Sequence, residues 1–159
     1  MQRFLVRPNL SLLNEDLFSF CLGIHIEGPF IDENKRGAHR TDFLRKSPHG
    51  IEDFLECYGS FDNVSIVTVA PELPNMIEKV IPELVEKYQL VVSIGHSVAT
   101  LDHGERAICA GASFITHLFN AMLPFHHRDP GLVGRRGMKH YFDQLFFLLR
   151  SLNQPSSSS

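Results

Sequence analysis

No stretch of this 159-residue sequence approaches the ~18 consecutive apolar residues that a membrane span requires. The three cysteines, Cys21, Cys57 and Cys109, are odd in number and far apart. Such spacing fits reduced thiols in a cytoplasmic protein better than a disulfide framework. There is no excess of basic charge, the formal net charge being −3, which argues against a nucleic-acid or membrane-surface partner. The first ten residues, MQRFLVRPNL, lack the continuous apolar core and small-residue cleavage site of a signal peptide. What is present is 43% apolar composition, enough to bury the core of one domain.

Apolar strands and helical patterns alternate along the chain. Leu22–Ile26 reads as a short strand, residues 28–49 as a long Gly/Pro/Asn/Asp loop, and Gly50–Tyr58 as a helix with Ile51, Phe54 and Leu55 on one face. Asn63–Ala70 is β-branched throughout, as in a strand covered on both faces. Leu73, Met76, Ile77, Val80, Ile81, Leu84, Val85 and Tyr88 recur at helical spacing, and Pro82 must kink that helix or start a second one. Leu90–His96 is another strand, Thr100 caps the next helix, Gly111 marks its end, and Ala112–Asn120 is a fourth strand. The tail SLNQPSSSS is low-complexity and reads as disordered.

The order predicts an α/β fold built from parallel (β/α) units with right-handed crossovers. An open doubly wound sheet and a closed (β/α)₈ barrel both fit. A barrel takes ~250 residues, so four strands amount to about half of one.

Three of these strands end on a residue able to ligate a metal: Glu27, His96 and His117. In parallel α/β folds the strand C-termini form the functional face, so residues distant in sequence can converge there. One carboxylate and two imidazoles make a three-ligand set for zinc, leaving the fourth position open. The rival reading is a solvated Glu and two hydrogen-bonded histidines, and it is the agreement of three strand ends that weighs against it. His25 reads as packed within the strand layers, and His103 as a surface residue of a helix. Asn120, His126, His127 and Arg128 cluster in a loop suited to an anionic, hydroxyl-rich ligand, with the Arg128 fork facing phosphate. Lys35 and Arg36 read as ordinary polar loop residues.

The motifs GIHIEGPFI…KRGAH, SIGHS and THLFNAM…HHRDPGLVG, in this order, closely resemble the N-acetylglucosamine-6-phosphate deacetylase family of the amidohydrolase superfamily. The resemblance runs from about residue 22 to residue 134. It implies an incomplete metal-dependent TIM barrel over 22–134, flanked by divergent termini at 1–21 and 135–159. The implied reaction is hydrolysis of the acetamide of N-acetylglucosamine 6-phosphate to glucosamine 6-phosphate and acetate. The implied cofactor is a divalent metal ion, zinc by the ligand set, held by Glu27, His96 and His117. Implied substrate contacts are Ala38, His39, Asn120, Ala121 and Arg128. The implied partner is the phosphosugar, and a homo-oligomer stays open.

A bound divalent ion acidifies a water toward pKa ~7 and polarises the amide carbonyl, and a carboxylate must then carry the proton to the leaving amine. The family's carboxylate is an Asp in a TDA-like segment. No TDA segment occurs in these 159 residues, nor does a DGxH one. Asp143 lies in an apolar stretch without family context and is no substitute. The sequence thus reads as the middle of a barrel, an alternative or incomplete gene product whose parallel edges would be open. Residues 142–149 read as a helix covering such a surface or as an exposed apolar segment. Three functions stay in play: an impaired deacetylase, a non-catalytic phosphosugar- or metal-binding remnant or partner of the full-length enzyme, and a cyclic-amide hydrolase. The HLFNAM…HRDPG segment favours the deacetylase.

Overall fold

The computed structural model describes residues 23–134. The apolar segment 142–149, Asp143, the leader and the Ser-rich tail lie outside the described residues. Four strands, β1 (Ile24–Glu27), β2 (Val64–Val69), β3 (Val91–Ile94) and β4 (Phe114–Ile115), form one parallel sheet in the order β1-β2-β3-β4. The order runs straight across, without the reversal that a doubly wound sheet has at its switch point. The helices are α1 (Ile51–Tyr58), α2 (Ile81–Glu86) and α3 (Leu101–Cys109).

Register separates the sheet into two unlike faces. Val67 lies beside Val92 and Val69 beside Ile94. These four side chains are buried and join Phe54 of α1, Ile81 and Leu84 of α2 and Ala107 of α3 in one cluster. Burying an apolar side chain of this size contributes ~1.5–3 kcal/mol, which holds the three helices on this face. Phe30, just beyond β1, extends the cluster by stacking on Phe54 at a centroid separation of 3.7 Å. The Tyr58 hydroxyl donates to the Gly28 carbonyl at 2.7 Å, fastening α1 to the turn after β1.

The other face is polar. Glu27 pairs with Thr68, and Thr68 with Ser93. Hydroxyls join into a chain, His25 Nε2 to Thr68 Oγ1, Thr68 Oγ1 to Thr116 Oγ1, and Thr116 Oγ1 to Ser93 Oγ, each link 2.7 Å. The β-branched pattern of β2 therefore does not mean apolar cover on both faces. Ile66 and Val91, which share the polar face, are only half-buried. His25 is exposed rather than packed within the layers.

The Leu73–Tyr88 pattern becomes two elements. A π-helical turn spans Met76–Val80, with Val80 N bonded to the Asn75 carbonyl at 3.1 Å. α2 then begins, with Pro82 in its first turn, where a missing amide costs nothing. α3 is capped by Thr100 as expected. His103 completes the cap, its Nδ1 lying 2.9 Å from Thr100 Oγ1, so it is a capping partner and not a plain surface residue. Asp129 adds a second cap, Oδ1 accepting from Leu101 N at 3.0 Å and Gly131 N at 2.9 Å.

The expected third and fourth strands prove shorter. β3 stops at Ile94, and β4 holds only Phe114 and Ile115. Past them His96, His117, Phe119 and Ala121 all adopt positive φ, which no strand pleat accommodates.

Candidate functional site

Glu27 is the last residue of β1, and the chain turns at once through Gly28 and Pro29, joined by a cis peptide. His96 and His117 each lie two residues beyond β3 and β4. Because the strands run parallel in one sheet, these three positions open at the same edge of it. Glu27 Oε1 lies 2.6 Å from His96 Nε2 and 3.0 Å from His117 Nε2. Their donor atoms all fall within 4.8 Å of one another, a set able to hold a metal ion. The sequence-predicted trio is brought together.

Proton counting shows what this cluster lacks. His96 Nδ1 lies 2.7 Å from the Lys35 carbonyl, which can only accept, so Nδ1 carries the hydrogen. A neutral imidazole has no second N–H for Glu27, and Nε2 meets the carboxylate lone pair to lone pair. A proton or a metal cation must bridge that contact. Fixing Nδ1–H on a backbone carbonyl is also the usual way a ligating histidine is oriented, Nε2 being left for the ion. Burial alone would raise the Glu27 carboxyl, but hydrogen bonds and charge from His117 and His96 outweigh it and hold the group below its ordinary value. An ionised carboxylate is the form a cation needs.

The three residues sit in a groove of about 480 Å³, within the size range of small-molecule sites. Its lining also includes Asn34, Lys35, Gly37, Ala38, His39, Asn120 and Ala121. Four of the five expected substrate residues, Ala38, His39, Asn120 and Ala121, therefore border the cluster. His39 lies between two carbonyls, Nδ1 at 2.8 Å from that of Arg36 and Nε2 at 3.1 Å from that of Glu27, of which a neutral ring donates to one, and it meets His96 edge-on. Asn120 Oδ1 accepts from Ala121 N at 2.9 Å. Arg128 does not line the groove; it is exposed and forms no ion pair among the described residues. His126 and His127 are exposed beside it with rings 4.3 Å apart.

The sequence reading of Lys35 as an ordinary polar loop residue missed its role, and that of Gly37 went no further than the backbone of its loop. Lys35 acts through its carbonyl, which no side-chain pattern reveals. Gly37 has φ +59°, and a Cβ there would lie 3.4 Å from His96 Cε1. A glycine in the KRGAH motif was the available signal, because left-handed backbone close to a ring favours it.

The fold and cluster define a parallel α/β protein carrying, at the C-terminal edge of its sheet, a carboxylate and two imidazoles able to hold a metal ion. It is similar in sequence and structure to N-acetylglucosamine-6-phosphate deacetylases. The chain is 58% identical over 114 residues to N-acetylglucosamine-6-phosphate deacetylase of Danio rerio, and 57% identical over 114 residues to that of Homo sapiens. These matches cover 71% of this chain, but the chain spans only 28% and 27% of those relatives' lengths. Among solved structures, the N-acetyl-D-glucosamine-6-phosphate deacetylase of Mycobacterium smegmatis superposes with a TM-score of 0.60 at 40% identity, covering 69% of this chain and 28% of that one. The same match holds for an Asp-to-Ala variant of that enzyme in complex with N-acetyl-D-glucosamine-6-phosphate. No family model matches the chain.

Proposed function

We propose that residues 22–134 form part of an amidohydrolase (β/α) barrel and serve the deacetylation of N-acetylglucosamine 6-phosphate to glucosamine 6-phosphate and acetate. The observation that carries this reading is the convergence of His96 Nε2 and His117 Nε2 on the single oxygen Oε1 of Glu27, within a groove bordered by the motifs shared with the deacetylases. Glu27, His96 and His117 would hold a divalent ion, zinc by the preference of a carboxylate–imidazole set. When bound, such an ion supplies a Lewis acid for the amide carbonyl and for water.

The chain's own residues do the rest of what this edge can do. Lys35 fixes the tautomer of His96 through its carbonyl. His39, Ala38, Asn120 and Ala121 border the space a sugar amide would occupy. Arg128, exposed and without an ion-pair partner among the described residues, offers a planar fork to a phosphate arriving at the rim. No catalytic residue is assigned, because the proton-transferring Asp that the resemblance implies has no counterpart in these 159 residues.

That same observation favours a second reading, a phosphosugar- or metal-binding protein, or a partner of a full-length enzyme, without turnover of its own. Calorimetric titration of N-acetylglucosamine 6-phosphate into zinc-loaded protein, with acetate release followed in parallel, tests both. Saturable binding with turnover supports the deacetylase, and binding without turnover supports the second reading. Absence of phosphosugar binding sinks the deacetylase and leaves the second reading only metal binding or partnership.

A further inference from the structure

Glu72 is a partly buried carboxylate that takes no part in the groove. It follows β2 by three residues, and its two oxygens accept from Ser97 Oγ and Val98 N, each at 2.6 Å. Ser97 is fully buried. Its Oγ in turn accepts from Ala99 N at 2.9 Å, and its N donates to the Ala121 carbonyl at 3.1 Å. Three consecutive amides, those of residues 97–99, thus belong to no helix or strand and are satisfied by one small network around Glu72.

The placement of that network matters. On one side it abuts His96, which holds φ +49°, and on the other it ends at Ala121, which also holds φ +49°. L-residues adopt this region only where the surroundings over-determine it. Both residues border the groove. The flanking bonds, His96 carbonyl to Asp32 N at 2.8 Å and Gly95 N to the Val69 carbonyl at 3.1 Å, fix the chain before the loop but not after it. Glu72 is the ionisable side chain seen to hold Ser97 and Val98 just after His96 among the described residues.

We propose that Glu72 is a positioning residue: by pinning Ser97 and Val98, and through Ser97 the Ala121 carbonyl, it sets the left-handed backbone that aims the His96 imidazole at Glu27. The inference rests on the metal-centred reading of the groove and extends it to a residue outside that groove. Glu72 couples three loops, those after β2, β3 and β4, so that the metal edge and the Asn120–Ala121 rim keep one relative position.

The test compares the full chain with Glu72→Ala, Glu72→Gln and Ser97→Ala in zinc titration calorimetry, thermal unfolding and amide-exchange NMR. Glu72→Ala should weaken zinc binding by about tenfold, the lower end of the range for groups that orient a ligand from behind. Glu72→Gln, which keeps one acceptor oxygen, should recover part of that loss, and Ser97→Ala should resemble Glu72→Ala. Without any metal, amides 97–99 should lose exchange protection and the His96 ring signals should shift in Glu72→Ala, while core amides of β2 and β3 stay protected. Zinc affinity within about twofold of wild type together with unchanged protection at 97–99 would overturn the proposal. Should wild type and Glu27→Ala both ignore zinc, the metal reading fails, and the exchange data still decide whether Glu72 sets the His96 loop.

Discussion

His96 Nε2 lies 2.6 Å from Glu27 Oε1, although the two residues are 69 positions apart, Glu27 ending β1 and His96 lying in the loop after β3. The two histidines that share this oxygen differ in setting. The His96 side chain is 5% exposed and anchored on the Lys35 carbonyl, whereas that of His117 is 45% exposed. Their replacements should therefore separate metal binding from stability. His96→Ala removes a buried ring and strips the part-buried Lys35 carbonyl of its partner, and should cost about 1–3 kcal/mol in urea unfolding. His117→Ala should stay within about 0.5 kcal/mol of wild type, although both weaken zinc binding.

Arg128→Lys keeps the charge and loses the fork. Loss of one charge-assisted hydrogen bond, about 1.5 kcal/mol, corresponds to roughly tenfold weaker phosphosugar binding. Thermal stability should not move, since Arg128 is exposed and makes no ion pair among the described residues. A drop in melting temperature with unchanged binding would assign Arg128 to the fold.

Acid should loosen α3 through Asp129. Hydrogen bonds from the Gly131 and Leu101 amides hold its carboxyl below the ordinary Asp value of 3.8. A depressed folded-state pKa gives stability that is present above that ordinary value and is lost as pH falls through the folded one. Urea unfolding as a function of pH should show this loss below the ordinary Asp range. Asp129→Ala should be less stable at neutral pH and should flatten that acid limb.

The parallel sense was legible from the alternation of apolar strands with helices, and the clustering of Glu27, His96 and His117 because three of the four apolar runs end on a ligating residue. The boundaries of β3 and β4 were not. Positive φ at His96, His117, Phe119 and Ala121 depends on tertiary hydrogen bonds, such as Ser97 N to the Ala121 carbonyl, which hydropathy does not encode. For the same reason Lys35, working through its carbonyl, and His103, working in a cap, read as plain polar residues. Ala38 and Ala121 carry no chemical signal of their own. The family resemblance alone nominated them, and both border the groove. His25 was misplaced because alternation in a four-residue strand assigns a face but not what covers it.

Turnover by a polypeptide of these 159 residues should be poor. General acid–base assistance is worth ~10²–10⁴-fold in rate, and these residues hold no TDA segment to provide it. Acetate release from N-acetylglucosamine 6-phosphate by the purified, zinc-loaded chain should fall at least that far below a full-length relative measured alongside. A rate matching the relative would mean that a carboxylate within this sequence moves the proton.

The central claim is that Glu27, His96 and His117 hold one divalent ion, and zinc titration calorimetry addresses it most directly. The account predicts saturation at one zinc per chain, with affinity falling by more than about a hundredfold in Glu27→Ala, beyond the range seen for groups behind the ligands. Zinc bound equally well by wild type and by the Glu27→Ala, His96→Ala, His117→Ala triple variant would contradict it.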